Sequence, residues 1–157
     1  MAEEYTIREA GEADVAVLAR FGRRMIEDAS KDQPYPPEKL AAIEEAYVPF
    51  ARAHLQDGSM KAWVVESAGQ VVACGTLLIL PYIPNPIEPT RRTARLFGMY
   101  TLPENRRRGL GRRIVEQAIE HCKAQGIQRI VLTASAMGKP LYESVGFQAS
   151  KEMKLNL

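Results

Sequence analysis

A strand-like run, a turn rich in glycine and arginine, and an amphipathic helix follow one another between residues 93 and 125. TARLFGMYTL (93–102) contains threonine and aromatic residues typical of a strand. RRRGLGRR (106–113) then brings two glycines and five mutually repelling arginines. From Gly111 to Gln125, apolar residues recur at helical spacing, which predicts a helix with one buried face. A strand that passes through such a turn into a helix is typical of an α/β fold, so this segment constrains the fold most.

The remaining periodicity predicts a single α/β domain over residues 1–157 in the order β-α-α-β-β-β-α-β-α-β. Gly98, inside the central strand, indicates either a β-bulge or an ordinary strand glycine. Pro49 predicts a kink or break in the second helix, and Ala68-Gly69 predicts a short hairpin. The other strands are expected at 5–10, 61–67, 70–80, 128–134 and 147–155, and the other helices at 12–29, 37–56 and 138–145.

Positive charge is concentrated in one short segment. Residues 91–113 carry eight arginines against a single acid, Glu104, and therefore a net charge of +7, whereas the whole chain carries only +2. A protein that follows many nucleic-acid phosphates usually spreads its basic residues over a broad face. A compact basic site suits one small polyphosphate ligand better. Nucleic-acid binding is therefore the less favoured alternative, and no nucleic-acid partner is expected.

The cysteines and the hydropathy of the chain indicate the cellular compartment in which the protein is expected to work. Cys74 and Cys122 both lie in apolar runs and are expected to be buried free thiols, which favours a reducing, cytoplasmic setting. Neither has metal-ligand spacing to His54 or His121, so no metal site is expected. There is no apolar run long enough to span a membrane, and the acidic amino terminus does not resemble a secretory signal. The oligomeric state stays open between a monomer and a homodimer.

The glycine turn has the composition of a phosphate site. The first N–H groups of a helix have no intrahelical partner, and the helix dipole places partial positive charge there. Glycines let phosphate oxygens approach the backbone closely. Two common phosphate motifs are excluded, because the nucleotide P-loop needs a Gly-Lys-Ser/Thr ending, and the dinucleotide fingerprint needs glycine where this chain has Ile114.

Two segments together resemble a known family. PENRRRGLG (103–111) resembles the acetyl-CoA loop of the Gcn5-related N-acetyltransferases (GNAT), whose core is [Q/R]-x-x-G-x-[G/A]. PLYESVGF (140–147) resembles the L-Y-x-x-x-G-F segment of that family, and the order of elements agrees. The resemblance implies a mixed, mostly antiparallel central sheet flanked by helices. It also implies an enzyme that uses acetyl-CoA as cosubstrate and acetylates a primary amine of a small molecule or peptide.

The resemblance further assigns roles to residues. Backbone N–H groups from Arg107 to Arg112 would hold the CoA pyrophosphate, and Met99 to Thr101 would pair with the pantetheine arm and offer an N–H to the thioester oxygen. Tyr142 would protonate the departing thiolate. The expected cofactor contacts are Met99, Tyr100, Thr101, Arg106, Arg107, Arg108, Gly109, Leu110, Gly111, Arg112, Ser135 (where many members carry asparagine) and Lys139.

Among the arginine side chains, Arg108 and Arg112 are expected to face the phosphates, whereas Arg107 and Arg113 could be solvated charge. Arg106 fills the first position of the motif. Gly109 and Gly111 are expected to let the backbone approach the pyrophosphate.

The expected reaction is direct transfer within a ternary complex, with the acceptor between the helices of 12–56 and the 81–92 loop. No general base is identifiable, so a base and a neutral incoming amine stay equally open. The alternative from another class is a CoA-binding sensor or interaction module without catalysis. The weak candidates for a base are Glu44, Glu45, Glu66 and Glu88.

Overall fold

The computed structural model describes residues 2–89 and 91–157. It contains five strands and four α-helices within that range. In chain order they are β1 (Thr6–Glu9), α1 (Val15–Ala29), α2 (Pro37–Gln56), β2 (Met60–Ser67), β3 (Gln70–Pro81), β4 (Arg92–Thr101), α3 (Leu110–Ala124), β5 (Ile130–Val131) and α4 (Lys139–Ser144). Short 3-10 turns precede α1 and follow β4.

The five strands form one sheet in the order β1-β2-β3-β4-β5. The first four pair antiparallel, and β5 pairs parallel to β4. The parallel pair follows from the connection, because α3 carries the chain back along the sheet before β5 begins. The prediction of a mixed, mostly antiparallel sheet flanked by helices is confirmed.

The hairpin between β2 and β3 turns at the predicted pair of residues. Ala68 and Gly69 have φ values of 50° and 76°, and Ser67 pairs with Gln70 across the turn. Two consecutive left-handed residues produce the turn whose twist matches that of the flanking strands. The prediction of a short hairpin at Ala68-Gly69 is therefore confirmed.

A bulge interrupts β4 near its end. Cys74 pairs with Tyr100 and Thr76 pairs with Phe97, so β4 contributes one residue more than β3 between these pairs. Gly98 lies in the extra stretch with a φ of 63°, a conformation that glycine adopts without a steric penalty. Of the two interpretations of this glycine, the bulge is correct. It lies directly before the last three residues of the strand.

Helices cover both faces of the sheet. The apolar stripe of α3, which includes Ile114 and Val115, packs on one face with Val65 and Leu77. The opposite face packs against α1, whose Phe21 lies in the second core cluster with other strand residues. None of the helices formed by residues 2–89 and 91–157 is long and apolar enough to cross a membrane.

The predicted closing strand at 147–155 is wrong. These residues have no regular secondary structure, and β5, expected at 128–134, is paired only at Ile130 and Val131. Alternating apolar residues supply the pattern of a strand, but a strand exists only through hydrogen bonds to a neighbour. The segment has no such neighbour among the described residues. The final β of the predicted element order is therefore absent.

The second helix is continuous through its proline. α2 extends seven residues beyond Pro49, to Gln56, so the proline does not break it. Pro49 is exposed, which places the missing backbone hydrogen bond on the solvent side of the helix. The predicted element of 37–56 thus forms as one helix.

Candidate active site

The loop between β4 and α3 presents a row of free backbone donors, which we call the N–H loop (residues 107–112). None of these six N–H groups donates to another described residue, and the first hydrogen bond of α3 runs from Arg113 to the Gly109 carbonyl at 3.2 Å. Arg107 and Gly109 have left-handed φ values of 63° and 76°. Such alternation turns successive N–H groups toward a common point and, with the helix dipole, creates an anion site.

The two glycines of the turn have different roles. Gly109 adopts the left-handed conformation that begins α3. A Cβ at Gly111 would lie only 3.2 Å from Leu141 Cδ2, so this glycine allows α4 to pack against the first turn of α3. Arg112 Nη1 also donates to Ser144 Oγ at 3.1 Å. The two sequence motifs, 30 residues apart, are therefore in contact.

Arg106 fastens the N–H loop to its surroundings. Its Nε donates to the Thr101 carbonyl at 2.9 Å, and its Nη2 pairs with Asp28 of α1 at 3.0 Å. Its guanidinium also lies 5.5 Å from the centroid of the Tyr100 ring, a cation–π geometry. The positive charge of Arg106 is thus already balanced within the protein.

The other arginines of the cluster differ in what they contact. Arg108 pairs with Glu3, and Arg112 pairs with Glu116 at 3.1 Å. Arg113 donates to the Tyr5 carbonyl at 3.1 Å. Arg107 is exposed and forms no hydrogen bond or ion pair with the described residues. The two side chains expected to face phosphates are therefore engaged with carboxylates, and Arg107 is the guanidinium left to solvent.

The end of β4 offers its backbone rather than its side chains. Met99 packs over Gly75, where a Cβ would overlap Met99 Sδ and Ile114 Cγ2. Tyr100 is buried, with its ring centroid 5.2 Å from that of Phe21. Pairing with β5 involves only residues 94 and 95 of β4 in the described chain, so that edge of the strand is open up to Thr101. An extended molecule could pair with it.

Tyr142 lies buried in α4, the helix whose Leu141 packs against the first turn of α3. Its ring packs edge-on to Phe147, with centroids 5.8 Å apart. Burial raises the pKa of the phenol above its ordinary value, so the hydroxyl keeps its proton at neutral pH. The hydroxyl forms no hydrogen bond with a described residue. A Cβ at Gly138 would lie 3.0 Å from the Tyr142 ring and 3.3 Å from Ser135 Oγ, so this glycine lets the two side chains approach each other.

Ser135 and Lys139 both contact residues that are close to them in sequence. Ser135 Oγ accepts a hydrogen bond from the Gly138 N–H at 3.1 Å, and its carbonyl accepts one from the Lys139 N–H at 3.0 Å. Ser135 therefore begins the turn that leads into α4. The Lys139 ammonium lies 3.8 Å from Glu143 on the exposed side of that helix.

The glutamates considered as general bases are either exposed or already paired with arginines. Glu45 is exposed on α2. The other three form ion pairs: Glu44 with Arg23 at 3.3 Å, Glu66 with Arg8 at 2.9 Å, and Glu88 with Arg91 at 3.2 Å.

A cavity of about 180 Å³, which we call the α1–α2 cavity, lies between these two helices and strands β3 and β4. Its inner end reaches Thr76 and Gly98, so it borders the bulge that precedes Met99. The cavity lies between the helices beside which the acceptor is predicted, and no described residue of the 81–92 loop lines it. The position of the acceptor stays a prediction. The signal that could have located it is Gly22, because a glycine inside a helix is costly unless its missing side chain leaves useful space.

A larger cavity of about 400 Å³ lies at the opposite end of β4, bounded by Lys61, Arg92 and His121. None of the residues predicted to bind acetyl-CoA or to act in catalysis lines it, although Pro81 and Arg92 belong to the 81–92 segment that is expected beside the acceptor.

Comparisons with known proteins agree with this geometry. Residues 23–147 match the model of the acetyltransferase (GNAT) family. N-acetyltransferase family 8 member 3 of Rattus norvegicus is 34% identical over 123 residues, which are 75% of this chain and 52% of that protein. Glucosamine 6-phosphate N-acetyltransferase of Trypanosoma brucei brucei is 26% identical over 98 residues, 62% of this chain and 65% of that protein. The chain spans about half the length of its family 8 relatives.

Two solved structures share the fold across nearly the whole chain. A GCN5-related N-acetyltransferase from Ralstonia eutropha superposes with a TM-score of 0.86 at 26% identity, covering 98% of this chain and 99% of that one. A predicted acetyltransferase from Clostridium acetobutylicum, in a crystal structure with acetyl-CoA, also gives a TM-score of 0.86, at 24% identity and with coverage of 98% of this chain and 96% of that one. The family model matches residues 23–147, which are most of the chain. The chain therefore belongs to the GNAT acetyltransferase family.

Proposed function

We propose that the chain is an N-acetyltransferase that moves an acetyl group from acetyl-CoA directly to a primary amine. The observation that carries the proposal is the N–H loop, six unpartnered donors at the start of α3 beside the open edge of β4. Family membership gives the reaction class. A single N-acetyltransferase domain over residues 1–157, in a cytoplasmic monomer or homodimer, is part of the proposal, and the free buried thiols fit a reducing compartment.

The residues present fit acetyl-CoA. The free N–H groups and the dipole of α3 suit a pyrophosphate, and the Arg107 guanidinium is available for a further phosphate. The open edge of β4 from Met99 to Thr101 suits an extended pantetheine arm, whose amides can pair with the strand. When bound, acetyl-CoA supplies an activated acetyl thioester. These residues orient its carbonyl carbon toward the α1–α2 cavity.

Backbone and side-chain groups then take part in the acetyl transfer. The amine nitrogen attacks the thioester carbon, and an N–H at the end of β4 donates to the oxygen as negative charge develops on it. The C–N bond forms and the C–S bond breaks as the intermediate collapses. Tyr142 donates its phenolic proton to the departing thiolate, and its raised pKa keeps that proton available. The proton released by the amine passes to solvent, and solvent returns a proton to Tyr142.

Direct transfer is favoured over a covalent cysteine intermediate. Burial raises the pKa of the Cys74 thiol to about 12 and that of Cys122 to about 11. A thiol that stays protonated is a poor nucleophile. Cys74 Sγ also donates to the Gly98 carbonyl at 3.4 Å, which holds the thiol within the core. Neither cysteine is poised to accept the acetyl group.

The two alternatives make different predictions. A binding module without catalysis would bind CoA and release no thiol from acetyl-CoA with any amine. A nucleic-acid binder would need free arginines, but Arg106, Arg108 and Arg112 are paired with carboxylates of the protein. We therefore propose no role in nucleic-acid binding. The proposal also includes no membrane partner.

A thiol-release assay with acetyl-CoA tests the proposal over a panel of primary amines, amino acids and peptides. We expect amine-dependent release of CoA and acetylated product by mass spectrometry. Binding of CoA without release of thiol would favour the module without catalysis. Retention of an oligonucleotide with a steep dependence on salt, together with no stabilisation by CoA, would favour nucleic-acid binding.

A further inference from the structure

The position and lining of the α1–α2 cavity indicate which kind of acceptor fits it, which the sequence motifs do not. Its inner end borders Gly98, the residue before Met99, so a molecule inside it would reach the strand end where the proposed thioester lies. Its walls come from the apolar sides of the two helices, with Leu18 and Met25 on α1 and Ile43 on α2. Ligand sites of this kind select by shape and by a few polar groups.

The charged side chain that faces the cavity is already paired, and the carboxylates that pair with it do not line the cavity. Arg23 is the one charged residue among the described residues that line it. Its Nε pairs with Glu27 at 3.0 Å and its Nη1 with Glu44 at 3.3 Å. An additional cationic or anionic group inside the cavity would lose its hydration without gaining a free partner, which is costly. Polycationic and phosphorylated acceptors therefore fit poorly.

The polar atoms near the inner end are hydroxyls rather than bases. Tyr47 and Thr76 both line the cavity. Burial raises the pKa of Tyr47 to about 12, so this phenol is a hydrogen-bond donor at neutral pH and not a base. No aspartate, glutamate or histidine lines the described walls. An amine that reaches the inner end would thus be desolvated, which favours its neutral, nucleophilic form.

The size of the cavity limits the group that carries the amine. An apolar cavity of about 150 Å³ is large enough to bind benzene, and this one has about 180 Å³. We propose that the acceptor is a primary amine on one compact apolar group, of the size of a branched aliphatic chain or a single aromatic ring. The amine enters neutral and needs no dedicated base. This inference rests on the proposed N-acetyltransferase function.

Substitutions at Gly22 test the proposal without destabilising the fold. It lines the cavity from α1, and a Cβ built on it would meet no atom within 4 Å. Gly22→Leu should fill the cavity, and leucine favours a helix more than glycine does. The variant should therefore melt no lower than wild type and bind acetyl-CoA unchanged. Gly22→Ala is the matched control, because it adds one methyl group at the same place.

The experiment measures kcat/KM for 2-phenylethylamine, isopentylamine, spermidine and glucosamine 6-phosphate in wild type and both variants. We expect the two apolar amines to exceed the other two by about tenfold or more. Gly22→Leu should lower the apolar values by about tenfold or more, and Gly22→Ala by about threefold at most.

The contrary outcomes are distinct. Preference for spermidine or the sugar phosphate, or equal activity of Gly22→Leu with the apolar amines, overturns this inference and leaves acetyl transfer intact. Binding of acetyl-CoA without thiol release from any amine overturns both this inference and the proposed function.

Discussion

The N–H loop and the α1–α2 cavity are built from different parts of the chain. The N–H loop uses the backbone of six consecutive residues, and its two positive-φ residues shape it. The cavity uses side chains from two helices and two strands that are far apart in sequence. A ligand held by consecutive N–H groups leaves a local sequence motif, whereas a ligand enclosed by side chains leaves none. The cosubstrate can therefore be inferred from a short motif, and the acceptor only from the cavity.

Arg106 connects the two regions. It belongs to the arginine-rich turn but pairs with Asp28 of α1, the helix that forms one wall of the cavity. It also lies over Tyr100, which packs against Phe21 of α1. Arg106 therefore links the turn before the N–H loop to the helix that lines the cavity. Four substitutions separate the two regions experimentally.

The largest effect is expected from Tyr142→Phe, which should alter the reaction and neither binding region. Loss of a general acid should lower kcat by about 100-fold, with the Kd of acetyl-CoA and the KM of the amine nearly unchanged. Because burial raises the pKa of Tyr142 above that of an ordinary tyrosine, wild-type activity should decline only in alkaline solution, where the phenol loses its proton. The variant should lack that decline. Steady-state kinetics across pH check both points, with Tyr82→Phe as a remote control. An unchanged kcat would remove Tyr142 from catalysis.

Gly109→Val should weaken the N–H loop alone. A β-branched residue at a φ of 76° is strained, by about 1–2 kcal/mol, and relief of that strain would displace the N–H groups. We expect the Kd of CoA to rise by about tenfold, measured by calorimetry. Gly126→Val is the matched control, since Gly126 has a φ of 69° in open space near the other end of α3. Equal effects of the two variants on CoA binding would argue against the loop as the phosphate site.

Arg106→Ala should affect both regions moderately. It removes a hydrogen bond to the Thr101 carbonyl and a partly exposed ion pair with Asp28. After allowance for solvent screening, we expect a loss of about 1 kcal/mol in the free energy of unfolding. Arg107→Ala is the control, because Arg107 has no such contacts, and its stability should equal that of wild type. Urea denaturation measures both. Equal stability of the two variants would contradict the connecting role of Arg106.

The smallest effect is expected from Gly22→Ala in the wall of the cavity. Alanine should stabilise the helix by about 0.5–1 kcal/mol relative to glycine, with no change in CoA affinity. Thermal and urea unfolding measure whether the free energy of unfolding rises or falls. A destabilised variant would show that the space beside Gly22 is not open.

Secondary-structure elements with a strong local sequence pattern could be predicted from the sequence. Strands that need a neighbouring strand distant in sequence could not. The helix of α3 follows from the spacing of Ile114, Val115 and Ala118, and the hairpin follows from Ala68-Gly69. The segment 147–155 has the alternation of a strand but pairs with nothing in the described chain. Alternation records only that successive side chains point to opposite faces, and it does not provide the neighbouring strand.

The candidate site divides in the same way. The N–H loop and Tyr142 could be identified from residue types at fixed spacing. The contacts of Arg106 and Arg108 could not, because Asp28 and Glu3 lie far from them in sequence. Only the structure shows that Gly111 makes room for Leu141 rather than merely for a ligand.

The sequence by itself determined the family, the α/β layers and the backbone cradle, because helical periodicity, glycine conformation and free helix N–H groups are local properties. The tertiary structure decided which arginines are already neutralised, where the bulge places the end of β4, and what kind of space faces it. Those properties depend on distances between residues that lie far apart in the chain, such as Glu3 and Arg108, which are separated by 105 positions. Packing alone brings such residues together.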